Sequence, residues 1–339
     1  MANESESFPR RIIVTGGLGF IGSNFIHHII RKFTQYKGTT SGPDSEVYSS
    51  SEINGLEILN IDKVTYAGDF ENVSGITNFA GYRFEKADIA DIDEMRRIFS
   101  LFKPECVVHF AAESHVDRSI DSGNQFIISN VLGTQVLLEA ARSEGLALFI
   151  HVSTDEVYGS TNDGSFSETS NLNPSSPYSS SKASSDLVAL SHFHTYGTPV
   201  IVTRCTNNFG PRQHPEKLVP KVITNAMNNQ PIPVYGSGKQ VRDWLYVSDH
   251  CEAIVTLISK GEPGEVYNIA AQNELTNLEI IETLTDIVGD KAHLIEHVND
   301  RLGHDFRYSV DDSKIRNLGW SPLVEFKEGV HRTVEWYSR

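Results

Sequence analysis

The stretch RIIVTGGLGFIGSNFIHHII, residues 11–30, constrains the fold more than any other. A β-branched run, Arg11 to Thr15, enters a glycine-rich turn, and Phe25, Ile26, Ile29 and Ile30 then recur at helical spacing. A strand that hands a glycine turn to a helix N-terminus lets the backbone approach a pyrophosphate. The free N–H groups and the positive end of the helix dipole then face its charge. Two registers fit the turn, Gly17-x-Gly19-x-x-Gly22 and Gly16-x-x-Gly19-x-x-Gly22. Strand and helix signals go on alternating to about residue 205, which predicts an α/β fold with a doubly wound, Rossmann-type parallel sheet.

The next strand, Leu56 to Ile61, ends at Asp62, an acid placed to hold ribose hydroxyls and to favour NAD over NADP. Asp62 lies 40 residues beyond Gly22 (62 − 22), where ~20 is usual. The Ser- and Gly-rich residues 37–54 between them read as a surface insertion. Asp88 follows a strand-like piece and is placed within reach of an adenine. Glu105 to Phe110 reads as a core strand leading to Ala111, Ala112, Glu113 and Ser114, small enough for a cofactor to lie close and polar enough to face a crevice.

After the apolar run 146–150 come Ser153, Thr154, Asp155 and Glu156, and farther on Tyr178 and Lys182. On a helix, positions i and i+4 share a face, so the ammonium is expected beside the phenol. It should draw the phenol down from about 10 towards working pH, giving a base for a sugar hydroxyl.

Beyond Cys205, turn residues, basic groups and aromatics alternate. The net charge is 29 − 44 = −15, so Lys217, Lys221, Lys239 and Arg242 clustered in an acidic chain suggest a pocket for a second anion. Residues 241–257 read as a return to the sheet, 265–269 as a strand of a smaller lobe, and 276–289 and 328–337 as amphipathic helices. The expected division is 10–205 with 243–262 for the dinucleotide, and 206–242 with 263–339 as a smaller α/β substrate lobe.

The acidic balance argues against a nucleic-acid or anionic membrane partner. No apolar run reaches ~18 residues, and the first residues, MANESESFPRR, carry no secretory pattern. Three scattered cysteines without metal-ligand spacing predict neither a metal site nor a disulfide framework, and fit a cytoplasmic protein.

The motifs TGGLGFIGSN, DKVTYAGDFENV, HFAAESHVDRSI, VSTDEVYGS, PSSPYSSSKASSD, NNFGPRQHPEKLVP, YGSGKQVRDWLYVSDH, YNIAAQNELTN, DRLGHDFRY and LGW run from about Arg11 to Tyr337. In them the chain resembles the NDP-glucose 4,6-dehydratases, a nucleotide-sugar group of the extended short-chain dehydrogenases/reductases. The glycine turn and Tyr-x-x-x-Lys mark only the superfamily. Asp155-Glu156 after Thr154 is more selective, since sugar epimerases and decarboxylases of similar build usually lack that pair. The insertion 37–54 and Arg212-Gln213 before His214 depart from the pattern.

The resemblance implies oxidation at C4 of a nucleotide-linked glucose, elimination of water across C5 and C6, and return of hydride to C6. Tyr178, Lys182 and Thr154 would serve the oxidation, Glu156 would take the C5 proton, and Asp155 would protonate the leaving C6 hydroxyl. Such opposite roles require environments that push two adjacent pKa values apart.

NAD contacts are implied at Gly16, Gly19, Phe20, Ile21, Gly22, Asp62, Lys63, Asp88, Ile89, Ala111, Ala112, Ser129, Tyr178, Lys182 and Asn208. Nucleotide-sugar contacts are implied at Ser114, Thr154, Asn207, Lys217, Leu218, Val219, Arg242, Asn277, Asp300, Arg301 and His304. The resemblance also implies a homodimer paired through the helices that start near Gln125 and Tyr178. A UDP-hexose 4-epimerase would need neither Asp155 nor Glu156, and a non-catalytic nucleotide-sugar sensor would need none of the five reactive side chains. The sequence leaves thymidine and uridine open as the base.

Overall fold

The computed structural model describes residues 8–33 and 55–339, so the insertion at 37–54 lies outside the described residues. The strands are β1 (Arg11–Thr15), β2 (Glu57–Asp62), β3 (Tyr82–Lys86), β4 (Cys106–His109), β5 (Leu148–Thr154), β6 (Val200–Cys205), β7 (Asn207–Phe209), β8 (Ile232–Tyr235), β9 (Val241–Tyr246), β10 (Val266–Ile269), β11 (Glu274–Thr276) and β12 (Ile295–Val298). Seven form one parallel sheet in the order β10-β6-β5-β4-β1-β2-β3. The chain winds from β1 outward to β3 on one side and from β4 outward on the other. The crevice between β1 and β4 is therefore the switch point at which open α/β sheets bind ligands.

Alternate residues of each strand feed opposite faces of the sheet. Ile12 and Val14 pack with Phe25, Ile26 and Ile29 of the helix Phe20–Phe33 and with Ile254 and Leu257 of the helix Val247–Lys260. Ile13 packs on the other face with Ile98, Leu137, Leu138 and Ala189. A separate core of Val222, Ile223, Trp244, Ile280 and Leu284 lies under the smaller sheets.

Two strands differ from expectation. Residues 241–246 do not return to the large sheet; β9 pairs parallel with β7 and antiparallel with β11. Conversely, the strand expected in the smaller lobe, β10, is the edge of the seven-stranded sheet, parallel to β6. Short apolar runs do not choose their partners locally; tertiary pairing does. Here the buried Asp243 of β9 accepts hydrogen bonds from Thr206 Oγ1 at 2.9 Å, Ala271 N at 2.7 Å and the backbone N–H of Asn273. One carboxylate thus holds both segments that leave the large sheet.

The helix Pro177–Tyr196 begins at a capping box: Ser176 Oγ accepts from Ser179 N at 3.1 Å, and Ser179 Oγ accepts from Ser176 N at 3.0 Å. That fixes Tyr178 in the first turn. The same helix is tied to β6 by a buried ion pair, Arg204 Nε to Asp186 Oδ2 at 2.9 Å. Removing one member of such a pair typically costs about 3–5 kcal/mol, because the other is left buried and unpaired.

Candidate active site

A cleft of about 590 Å³ runs from the glycine turn across the C-terminal ends of the sheet strands to the smaller lobe. The structure settles the glycine register. Gly16, Gly19 and Gly22 line the cleft, whereas Gly17 turns away and donates its N–H to Asn60 Oδ1 at 3.0 Å. Gly16 has φ +72°, and a Cβ there would meet Ala111 N at 2.7 Å; a Cβ on Gly22 would meet Gly16 O at 2.4 Å. Only glycine at both positions lets the turn close this tightly.

Asp62, at the end of β2, holds the neighbouring loops. Its Oδ2 accepts from Leu18 N at 3.1 Å and its Oδ1 from Val64 N at 2.8 Å, while burial raises its pKa. Lys63 Nζ donates to Ser129 Oγ at 2.8 Å and lies 3.8 Å from carboxylate oxygens of both Asp88 and Glu113. Ser129 belongs to a π-helical turn, Ile127–Leu132, between the helical segments Asn124–Phe126 and Gly133–Ser143. In that turn Asn130 grips the cleft loop, accepting from Glu113 N at 2.8 Å and donating to Glu113 O at 3.0 Å.

β5 delivers the reactive pair. Thr154 is its last residue and caps the 3-10 turn Asp155–Tyr158; its Oγ1 accepts from Glu156 N at 3.3 Å and donates to Asp155 Oδ1 at 3.1 Å. Asp155 is only 2% exposed. Burial, and then the Glu156 carboxylate beside it, push its pKa up to about 8. Burial raises Glu156 as well, but Arg242, Lys217 and Arg301 all pull it down. Two neighbouring acids therefore sit in different fields, and Asp155 is the one that lacks a cluster of three cations to oppose its burial.

Tyr178 and Lys182 line the same cleft, yet the expected pull of the ammonium on the phenol is not what dominates. Burial, then Glu156, Cys205 and Asp155, raise the Tyr178 pKa well above its usual value, with hydrogen bonding to Thr154 opposing. Lys182 Nζ is instead anchored on Val152 O at 2.8 Å, and burial lowers its own pKa to about 8. Both side chains reach the cleft as the spacing implies, but burial, reinforced by Glu156, Cys205 and Asp155, decides the direction.

The far end of the cleft is cationic and aromatic. The Arg242 guanidinium lies 4.1 Å over the Tyr308 ring and donates to Asp305 O at 2.9 Å. Lys217 Nζ donates to Ser114 O at 2.8 Å, and Arg301 lies over the Tyr235 ring at 5.2 Å. Such groups suit a diphosphate with a flat base beyond it.

Of the site residues expected from sequence, all line the cleft except Asp88, Val219 and Asp300. Asp88 turns back to accept from Ala90 N at 3.0 Å. Val219 is buried in the smaller core. Asp300 accepts from Gln240 Nε2 at 3.0 Å and pairs with His304 Nδ1 at 2.6 Å, so it orients His304 from behind. Lys239, grouped with the cationic pocket by sequence, is likewise not among the lining residues.

Comparison with known proteins decides the family. The GDP-mannose 4,6 dehydratase family matches residues 13–333. The dTDP-glucose 4,6-dehydratase of Streptomyces niveus is 48% identical over 328 residues, covering 96% of this chain and 92% of its own length. The chain belongs to the dTDP-glucose 4,6-dehydratase family. Among solved dehydratases, the crystal structure of DesIV from Streptomyces venezuelae, with NAD and TYD bound, superposes with a TM-score of 0.88 at 44% identity and 97% coverage of both chains. The UDP-glucose 4-epimerase of Thermus thermophilus, in complex with NAD, shares the fold at a TM-score of 0.84, covering 97% of this chain and 99% of its own, but at 28% identity. The dehydratase resemblance drawn from the motifs holds, and the epimerase alternative is not favoured.

Several lining residues are not singled out by sequence, although all of them lie inside the quoted motifs: Tyr66, Asp117, Glu216, Tyr235, Asp305 and Tyr308. Nothing local distinguishes a cleft tyrosine from a core one; only the fold brings Arg118 to 3.6 Å over the Tyr66 ring.

Proposed function

We propose that this chain converts dTDP-glucose to the 4-keto-6-deoxyglucose nucleotide and water, with NAD held in the cleft. The observation that carries the reading is the adjacent pair Asp155 and Glu156 at the end of β5, one held neutral and the other facing three cations. The residues present fit NAD: the Gly16–Gly19–Gly22 face leaves room for a pyrophosphate at a helix N-terminus, and Asp62 stands at the end of β2 where a ribose would lie. Bound there, NAD would supply a hydride acceptor and donor.

The side chains divide the proton work. Tyr178, with Thr154 beside it, takes the C4 hydroxyl proton, and the ketone so formed acidifies C5. Glu156 removes the C5 proton. Asp155, protonated below about pH 8, gives its proton to the departing C6 hydroxyl. Arg242, Lys217 and Arg301 hold the diphosphate. Thymidine is favoured over uridine because curated relatives at 48% and 44% identity are dTDP-glucose 4,6-dehydratases by name. Offering dTDP-glucose and UDP-glucose separately tests both points: a 4-keto-6-deoxy product is expected from the former, and its absence from both would end the reading.

Three consequences can be checked. Loss of the Asp155 proton as pH rises through about 8 should cut kcat/KM by roughly tenfold per pH unit on the alkaline side; a profile without an alkaline limb would take the acid role from Asp155. Asp62→Ala should weaken NAD binding by about 1–3 kcal/mol through lost hydrogen bonds to the ribose, measured by titration; unchanged affinity would remove Asp62 from the site.

The third is assembly. Ile127, Ile128 and Leu132 on one helical segment, and Leu187 and Tyr196 on the helix Pro177–Tyr196, are all more than 40% exposed. These apolar faces fit a second copy of the chain. Sedimentation should give twice 37.7 kDa, and a monomer at micromolar concentration would refute the dimer. The three cysteines are buried free thiols, which supports a reducing, cytoplasmic setting.

A further inference from the structure

The proposed reaction needs the diphosphate end and the reacting carbons of one sugar held at a fixed spacing. The groups that hold them stand on different elements: Arg242 on β9 of the smaller sheet, Tyr178 in the first turn of the helix Pro177–Tyr196.

Residues 303–308 lie between the two. On one side they run along β9: Val241 N donates to Phe306 O at 2.8 Å, and Tyr308 N donates to Val241 O at 3.3 Å. On the other side they lie against the reactive segment. Ser160 Oγ accepts from the N–H groups of Phe306 and Arg307 at 3.1 and 3.2 Å, and Thr161 N donates to Arg307 O at 3.1 Å. A Cβ on Gly303 would come within 3.2 Å of Ser175 O. Ser160 closely follows the turn that bears Asp155 and Glu156, and Ser175 directly precedes Ser176, the cap of the Tyr178 helix.

Within this bridge Asp305 bonds to each side. Its carbonyl accepts from Arg242 Nη2 at 2.9 Å, and the same guanidinium lies over the Tyr308 ring. Its carboxylate Oδ2 accepts from Tyr308 Oη at 2.7 Å and from Ser175 Oγ. We propose that Asp305 is a positioning residue: it ties the cage around Arg242 to the start of the helix that carries Tyr178, and so sets the spacing between the diphosphate and C4. A misplacement of about 1 Å at the reacting atoms costs ~10²-fold in rate, so this tether turns binding at the diphosphate into rate at the sugar. The inference rests on the dehydratase reading of the same cleft.

Both hydroxyls meet one oxygen of Asp305, which separates the tether from the charge. An amide oxygen has two lone pairs and accepts both bonds. Asp305→Asn therefore keeps the tether and removes the charge. Asp305→Ala removes both, yet leaves the carbonyl that holds Arg242.

The test compares kcat on dTDP-glucose with the affinity for dTDP, which carries the base and the diphosphate but no sugar. Asp305→Ala should lower kcat by roughly 10- to 10²-fold and leave dTDP affinity nearly unchanged. Asp305→Asn should recover most of the lost rate. Ser175→Ala should by itself lower kcat by about tenfold, the worth of one hydrogen bond to a charged group. In the Asp305→Ala background it should add nothing, because the bond it removes is already absent. The tether is overturned if Asp305→Ala loses dTDP affinity as much as kcat, or if Asp305→Asn is as slow as Asp305→Ala. Unchanged kcat in Ser175→Ala overturns it too, and that variant, at an exposed residue, decides the matter even if Asp305→Ala fails to fold. Wild type that forms no 4-keto-6-deoxy product sinks the underlying reading instead, and is told apart by the wild-type assay alone.

Discussion

Glu156→Gln, given dTDP-glucose, should turn its bound cofactor to the reduced form and release no 6-deoxy product. In the proposed mechanism oxidation at C4 uses Tyr178, Lys182 and Thr154, none of which is replaced. The elimination step needs a base for C5, and a neutral amide is none. Product formation should fall by about 10²–10⁴-fold while the absorbance of the reduced nicotinamide builds up. If these acids only shape the pocket, oxidation and product formation fall together and no reduced cofactor accumulates.

Asp155→Asn should fail one step later. With Glu156 intact, C5 should still exchange its hydrogen with deuterated water, whereas loss of the C6 hydroxyl, which needs the acid, should slow by a similar factor of about 10²–10⁴. The substitution has a built-in control. Asp155 is pushed up to about 8 by burial and by Glu156, so at neutral pH the amide replaces a group that is already uncharged. Substrate affinity should therefore change little. A large loss of affinity, or loss of C5 exchange equal to that in Glu156→Gln, would leave the two carboxylates without separate roles.

Much of this was legible in the chain because it is local. Strand, glycine turn and helix lie within residues 11–33, and the pair Asp155-Glu156 sits at one strand end. The illegible part depends on three-dimensional partners. The exchange of sheet between β9 and β10 turns on Asp243 and on which edge of the large sheet is free. Leu218 and Val219 are neighbours in sequence, but one faces the cleft and the other the core, a matter of helix phase that a motif does not carry. The spacing of Tyr178 and Lys182 announced a shared face and hid the burial that, with Glu156, Cys205 and Asp155, raises the phenol.

In the proposed reaction, hydrogen leaves C4 and arrives at C6 of the same sugar. Substrate dTDP-glucose carrying deuterium at C4 tests it in one experiment, read by nuclear magnetic resonance of the product. One deuterium is expected in the C6 methyl group of the 4-keto-6-deoxy sugar. Deuterium returned to C4 of an epimerised hexose, or absent from C6 because it has been lost to solvent, would contradict it.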